Sequence, residues 1–296
     1  MSNTGQSAAC PLCGGESRFW FARGQERPWS RLRCVRCGAV FLHPQPDDEA
    51  LRAIYGVQYH IGSGDERQQA AIVEMKRAGA RLTLEVLRRH AAPGAKLFEL
   101  GCGRGHFLAE AQAAGFDVFG ADIAPDSVAA AGALVGPERM RCGMTEELDL
   151  PEAAFDVCVL LDVIEHMRDP LDTLARMRRC LRPGGTLLMV TPSLDSLSAR
   201  LLGTHWVEFK DEHLFCFSKL AMKLALERTG FVVRELGAAR KVLSPEYVLL
   251  HFARFPLPGL GWAARAGLSL LPMALLRQRL ALPAGGMVVV ARAAHT

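Results

Sequence analysis

Residues 96–110 constrain this chain more than any other stretch. Leu97-Phe98-Glu99-Leu100 is a short apolar run carrying one acid, Gly101-Cys102-Gly103-Arg104-Gly105 follows without a spacer, and His106-Phe107-Leu108-Ala109-Glu110 opens a helical pattern. Glycines let the backbone turn sharply and leave it bare, so that a ligand can come close. The chain then repeats the theme. Apolar runs at 96–100, 117–121, 155–161, 186–191 and 231–236 read as strands, with helical stretches between them. This alternation predicts a doubly wound α/β fold, with a mostly parallel sheet and helices on both faces. Ligands of such sheets sit at the carboxyl ends of the strands.

The glycine spacing is G-x-G-x-G, which differs from the G-x-G-x-x-G of dinucleotide folds. Asp122 lies about twenty residues beyond the turn, at the end of the second strand, where a carboxylate can accept hydrogen bonds from both hydroxyls of a ribose. Glu99, just ahead of the turn, can hold a cationic amino group. The run Glu99-Leu100-Gly101-Cys102-Gly103-Arg104-Gly105 resembles the first motif of class I S-adenosylmethionine-dependent methyltransferases, and the resemblance continues in order through residues 95–240. Asp122 resembles the family's ribose-binding acid. Phe155-Asp156-Val157 is similar to the start of its fourth strand. Asp162-Val163-Ile164-Glu165-His166 with Asp169-Pro170 is similar to the segment after that strand, and Leu181-Arg182-Pro183-Gly184-Gly185 to the turn before its fifth. The resemblance implies a seven-stranded sheet whose last two strands form a hairpin, with residues 285–291 the final strand. It implies a cofactor set of Glu99, Gly101, Cys102, Gly103, Gly105, Asp122, Ile123, Met144, Thr145, Leu161 and Asp162 for S-adenosylmethionine. One departure stands out: where the family often has an acid for the adenine amino group, this chain has Met144, so the backbone at Met144 or Thr145 takes that contact.

Four of the nine cysteines fall in two C-x₂-C pairs, Cys10-Pro-Leu-Cys13 and Cys34-Val-Arg-Cys37, each followed by glycine. Four thiolates at this spacing fit tetrahedral zinc, and four sulfurs close the coordination shell, so the ion is structural. The small zinc ribbon also carries Arg18, Arg23, Arg27, Arg31, Arg33 and Arg36 against Glu16 and Glu26. They read as a solvated basic face or as a grip on a phosphate-bearing substrate. The other cysteines are isolated and read as small hydrophobes.

Methyl transfer from a sulfonium asks the protein mainly for alignment, plus a base when the acceptor is oxygen or carbon. Two loops offer groups for this. The loop after the fourth strand carries Glu165 and His166. The loop after the fifth carries Trp206 and His213. His213 is the first choice for a general base, since histidine accepts a proton near neutral pH. Each of these also has a plain reading: Glu165 and His166 as loop braces, His213 as a loop cap, Trp206 as core. Ser218 reads as the N-cap of a helix over 219–229.

The chain divides into a ribbon at 1–45, a helical linker or lid at 46–92 and a methyltransferase domain at 93–296 with an apolar insertion at 241–284. Ile72, Met75, Leu82 and Val86 mark one face of the linker helix. Residues 257–276 are apolar with Arg265 the only charge, but glycines and prolines interrupt them. They read as a helical cap over the acceptor or as a peripheral membrane helix within 244–280. The polar start and the reduced cysteines predict a cytoplasmic protein, with the inner membrane surface as a second location. A net charge of +4 is too small to argue for nucleic acid. The expected acceptor is a small, lipid-linked or sugar-linked molecule methylated on oxygen. The rivals are an RNA methyltransferase that grips RNA with its ribbon, and a scaffold that binds S-adenosylmethionine without turnover.

Overall fold

A computed structural model of the chain describes residues 7–22, 28–58, 66–245, 272, 275, 278 and 280–294. Four antiparallel strands come first: β1 (Ser7–Ala9), β2 (Glu16–Phe21), β3 (Ser30–Cys34) and β4 (Val40–His43). Helices α1 (Asp48–Gln58) and α2 (Glu66–Leu87) follow. The α/β part then runs β5 (Lys96–Leu100), α3 (His106–Ala113), β6 (Asp117–Asp122), α4 (Pro125–Val135), β7 (Met140–Cys142), β8 (Phe155–Leu161), α5 (Pro170–Cys180) and β9 (Leu181–Pro192). Helix α6 (Leu197–Leu202), β10 (Phe215–Cys216), α7 (Lys219–Arg228), β11 (Phe231–Leu243) and β12 (Leu280–Ala293) complete it.

The large sheet has seven strands in the order β11-β12-β9-β8-β5-β6-β7. Strands β9, β8, β5, β6 and β7 are mutually parallel, and β12 is antiparallel to both β9 and β11. This is the Rossmann-like methyltransferase fold that the motif order implied. The chain leaves β5 toward β6 and β7 on one side, then returns to build β8 and β9 on the other. The carboxyl ends of β5 and β8 therefore flank the crevice where such sheets hold ligands.

Side-chain alternation explains the two-sided core. Along β8, Val157 and Val159 join the layer containing Leu97, Leu84 and Leu108, while Cys158 and Leu160 join the layer containing Phe98, Leu174 and Leu226. A strand buried on both faces needs continuous apolar sequence, which is what 157–161 supplies. Helix α2 packs on α3 and β11, but through a different stripe from the one its apolar residues suggested. Ala80, Leu84 and Leu87 are buried, whereas Ile72, Met75, Leu82 and Val86 are only half-buried. Ala80 joins the buried cluster that includes Phe107, Leu108 and Ala111 of α3, a contact that a search for large apolar side chains does not anticipate.

Three strands are longer than their apolar runs. β9 starts at Leu181, with Arg182–Gly185 bulging out between its pairings Phe155↔Leu181 and Val157↔Thr186. β11 and β12 stay paired out to Leu243↔Leu280, so strand reaches into both ends of the 241–284 segment. The apolar stretch 257–276 lies outside the described residues apart from positions 272 and 275. Among the described residues no helix is long and apolar enough to cross a membrane.

The small sheet has the order β1-β2-β3-β4-β10, so its fifth strand comes from residues 215–216. Phe215 pairs with Phe41 and Cys216 with Val40. Ser218 caps α7 by accepting from the Ala221 amide, and its hydroxyl donates to the Cys37 carbonyl 2.5 Å away. Arg228 donates to the Leu12 carbonyl at 2.6 Å. The ribbon is thus stitched to the loop and helix that follow β9.

Candidate functional site

The turn after β5 is built from three glycines with positive φ: Gly101 at 68°, Gly103 at 52° and Gly105 at 77°. Their surroundings differ. A Cβ on Gly101 would lie 2.5 Å from Val163 Cγ2, and one on Gly105 would lie 2.8 Å from Ala131 Cα and Cβ. One on Gly103 would meet nothing within 4 Å. Gly101 and Gly105 are there for close packing, while Gly103 presents bare backbone to open space at the crevice.

Two acids converge on this turn. Asp122 ends β6 and is 8% exposed. Its Oδ2 accepts from the Gly103 amide at 2.8 Å and its Oδ1 from the Ala124 amide at 2.9 Å. Each carboxylate oxygen has a further lone pair for a ligand hydroxyl. Glu99 is 2% exposed, and its Oε2 is buried with no hydrogen-bond partner. Burial, and then the charge of Asp122, push its carboxyl well above the usual range. A buried acid oxygen without a donor is costly, and an incoming ammonium would satisfy it. Cys102 is buried beside them, its thiol pushed up mainly by burial. At the ends of β6 and β7, Ile123 and Met144 are exposed apolar side chains at 61% and 45%, and Thr145 is buried behind them. S-adenosylmethionine fits this set, with an ammonium for Glu99, vicinal hydroxyls for Asp122 and a flat base for the apolar pair.

The turn after β8 faces the same crevice, since Val163 is the side chain against Gly101. Leu161 ends the strand half-buried, and Asp162 adopts φ 53°, a left-handed conformation that Asp tolerates better than most residues. Its Oδ2 lies 3.5 Å from Lys241 Nζ, and the carboxylate holds that ammonium above its usual pKa. Glu165 is 1% exposed. Its Oε2 accepts from Thr191 Oγ1 at 2.9 Å, while Oε1 is buried without a partner. Burial, then Asp162, raise its carboxyl to about 8.

The structure brings His166 and His213 together from two loops, 47 positions apart in the chain. Their rings meet edge to face with centroids 4.7 Å apart. His166 Nδ1 lies 3.0 Å from the Glu212 carbonyl, and His213 Nδ1 lies 2.8 Å from the Glu208 carbonyl. A carbonyl only accepts, so each Nδ1 carries the proton and each Nε2 holds the lone pair of a neutral ring. Burial pushes His166 down to about 4 and His213 well below its usual value, the latter helped by His166. Glu165, His166 and His213 offer ligand-type atoms all within 4.8 Å of one another.

Several residues that shape this site carried no signal in the sequence. Arg31, on ribbon strand β3, is 3% exposed and donates to the backbone carbonyls of His213 and Lys210 while its guanidinium lies 5.1 Å from the Phe209 ring centre. It therefore leaves the basic face drawn from the sequence. Arg18 pairs with Glu16 and Arg33 stacks over Trp20, whereas Arg23 and Arg27 lie outside the described residues. Thr191 and Lys241 also went unremarked, since only the fold puts them beside Glu165 and Asp162. Trp206 is 1% exposed, packs edge-on to Phe209 and donates to Ser198 Oγ. It is a core residue.

At the ribbon, Cys10 and Cys37 Sγ are 3.7 Å apart and Cys13 and Cys34 Sγ are 3.5 Å apart. A tetrahedral ion with bonds of about 2.3 Å to sulfur sets sulfur–sulfur separations of about 3.75 Å. The cluster is ready-made for such an ion. A hydrogen bond from Cys37 holds the Cys10 thiol down to about 5 against the opposing effect of burial.

A cleft of about 370 Å³ bounded by His90, Asp156, Arg182 and Arg292 lies at the amino ends of β5 and β8, away from this chemistry.

A family profile described as a methyltransferase domain matches residues 71–236, more than half of the chain. The malonyl-[acyl-carrier protein] O-methyltransferase of Serratia marcescens is 33% identical over 129 residues, which are 43% of this chain and 50% of that protein. The ubiquinone biosynthesis O-methyltransferase of Cereibacter sphaeroides is 33% identical over 122 residues, 38% of this chain and 49% of that one. The chain thus spans about half the length of the curated relatives it matches. Among solved structures, a protein described as a methyltransferase from Bacillus halodurans shares the fold with a TM-score of 0.53 at 18% identity, covering 72% of this chain and 99% of that one.

Proposed function

Given that the chain belongs to the methyltransferase domain family and is a class I S-adenosylmethionine-dependent methyltransferase, we propose that it methylates an oxygen of a small, lipid-linked or sugar-linked acceptor, with His213 as the general base. The observation that carries this reading is the buried pair His166 and His213 beside the turn that packs on the glycine loop. The O-methyltransferase relatives support oxygen as the acceptor atom.

S-adenosylmethionine supplies an electrophilic methyl group on sulfur. Glu99 would accept from the cofactor's ammonium through its unpartnered Oε2, and Asp122 would accept from the ribose hydroxyls while also accepting from the Gly103 amide. Ile123 and Met144 would pack against the adenine, with the backbone at Met144 or Thr145 meeting its edge. Gly101, Gly103, Gly105 and Cys102 shape the loop, and Leu161 and Asp162 close the crevice on the β8 side. His213 Nε2 accepts the hydroxyl proton of the acceptor. Its Nδ1–H is already committed to the Glu208 carbonyl, and the Glu208 carboxylate 3.9 Å away stabilises the imidazolium that forms. His166 orients the ring from its edge, and Glu165 braces the turn through Thr191.

The four ribbon cysteines hold structural zinc in this reading. The burial of Arg31 supports a scaffolding role for the ribbon over a polyanion grip.

Calorimetric titration with S-adenosylmethionine tests the core of the proposal. Wild type binds in the micromolar range and Asp122→Ala loses binding by at least about tenfold, since both braces of the loop go with the carboxylate. Transfer of labelled methyl from the cofactor to hydroxylated acceptors follows. Absence of binding by folded wild-type protein refutes the assignment of the site.

A further inference from the structure

We infer that Lys241 is a positioning residue of the cofactor crevice, which holds the side chain of Asp162 and balances its charge, so that the crevice does not favour the cationic cofactor strongly over the neutral thioether left after methyl transfer. This role rests on the cofactor placement proposed above. Strand β12 pairs with β9 only from Gly286↔Pro192 onward. Beyond that point 280–283 pair with 240–243 of β11, so the two strands run on as an arm past the end of β9. The register breaks where the arm begins, since Ala238 faces Met287 and Arg240 faces Pro283. Ala239 alone separates these pairs on β11, whereas 284–286 separate them on β12, with Gly285 at φ 78°. Bulges of this kind bend a strand pair and re-aim its side chains.

The bend carries Lys241 toward β8. In sheet order β12 and β9 stand between β11 and β8, which sets those two strands about 14 Å apart, farther than a lysine side chain reaches. Yet Lys241 Nζ lies 3.5 Å from Asp162 Oδ2, in the turn that follows β8. The arm therefore curls over the end of β9 toward the crevice. Asp162 is one of two described non-glycine residues with positive φ, the other being Ala153. Its amide donates to the Val190 carbonyl at 2.8 Å, which fixes the backbone of the turn to β9. Its carboxylate is half-exposed, and the next residue, Val163, packs on Gly101 of the glycine loop. Backbone and side chain of Asp162 are thus pinned from two different strands at the edge of the crevice.

The carboxyl groups of Asp162, Glu208 and Glu165 all favour the charged form of the Lys241 ammonium, so a cation is built into this edge. Its charge bears on a methyl donor in a specific way. The sulfonium carries a positive charge that methyl transfer dissipates. A carboxylate left unbalanced beside it would stabilise the bound cofactor more than the transition state and so raise the barrier. S-adenosylmethionine and S-adenosylhomocysteine differ only by a methyl group and that charge. A lysine that merely props the turn would, when lost, weaken both ligands alike. A lysine that balances Asp162 would, when lost, shift the preference toward the cation.

Titration calorimetry of the full chain with S-adenosylmethionine and with S-adenosylhomocysteine gives the ratio of their Kd values. Lys241→Met keeps the side-chain length without the charge, and is expected to move that ratio about three- to tenfold in favour of S-adenosylmethionine at low salt, and by less at about 0.5 M salt. Lys241→Gln is a second neutral replacement should methionine disturb the arm. Lys241→Arg is expected to keep the wild-type ratio. Lys241→Met combined with Asp162→Asn is expected to return to it, because no unbalanced carboxylate remains. The inference is overturned if the neutral variants keep the wild-type ratio, whatever their affinities, or if Asp162→Asn does not restore it. Wild-type protein that binds neither ligand sinks the cofactor placement and this role with it, whereas wild-type binding with an unmoved ratio in the variants sinks only the role of Lys241.

Discussion

Replacing Gly103 and Gly105 separately by alanine divides folding from ligand binding within one turn. Both glycines have left-handed φ, 52° and 77°, and placing a Cβ in that conformation costs about 1–2 kcal/mol. For Gly103→Ala this is the whole cost to the fold, because nothing lies within 4 Å of the new methyl. Gly105→Ala adds a contact of 2.8 Å with Ala131, partly backbone, inside α4. Helix backbone cannot swing aside as a side-chain tip can, so overpacking contributes a further ~1–3 kcal/mol. With roughly 2–4 °C per kcal/mol for a domain of this size, Gly103→Ala should lower Tm by about 2–8 °C and Gly105→Ala by about twice that. Binding should rank the other way among folded proteins. The Gly103 methyl fills space assigned to the cofactor and should weaken S-adenosylmethionine by at least about tenfold, or 1.4 kcal/mol. Differential scanning and titration calorimetry on the same preparations read both quantities. Wild-type affinity in Gly103→Ala would refute the placement of the ligand against this glycine, and equal Tm values for the two variants would refute the packing argument.

Arg31→Ala leaves the Lys210 and His213 carbonyls without their buried donor and should cost about 3 kcal/mol in thermal or urea denaturation; a loss under about 0.5 kcal/mol would show that the guanidinium does not brace the loop. In pH-dependent denaturation, Glu165 sets a definite sign. Its folded pKa of about 8 lies above the unfolded value, so its contribution is fully present below about pH 4.5 and is lost as pH rises toward 8. Glu165→Gln should flatten that slope, and an unchanged slope would assign it to other groups. If the four ribbon cysteines hold zinc as proposed, chelation should speed amide exchange in 38–43 and in 214–217 together, by at least about tenfold, because β4 and β10 share hydrogen bonds. Acceleration confined to 38–43 would mean that the loop bearing His213 stands without the ribbon.

Much of the glycine-loop side of the candidate site was legible in the sequence because its information is local. A left-handed turn demands glycine at fixed offsets, a strand buried on both faces demands a continuous apolar run, and Asp122 follows from the length of one helix and one strand. The acceptor side was legible only as residue types. His213 and His166 were each picked from their own loop, but no spacing announces that their rings touch. Arg31 reads as one of six ribbon arginines, yet among the described ones it is the one turned inward, 182 positions from the carbonyl it holds. Residues on α2 show the same limit: the larger apolar side chains mark one face, while the buried stripe is Ala80, Leu84 and Leu87.

By itself, then, the sequence determined the fold class, the glycine turn with its two acids and the four-sulfur cluster, since each is dictated by backbone conformation or by ligand spacing within a few residues. Tertiary structure alone decided that strand β10 completes the ribbon's sheet, that Arg31 and Ser218 tie the ribbon to the loop of His213, and that Glu165, His166 and His213 converge with one carboxylate oxygen left unpartnered. These are contacts between segments brought together by the packing of two sheets, and the energy that selects them is shared among buried residues too far apart in the chain for any local pattern to record.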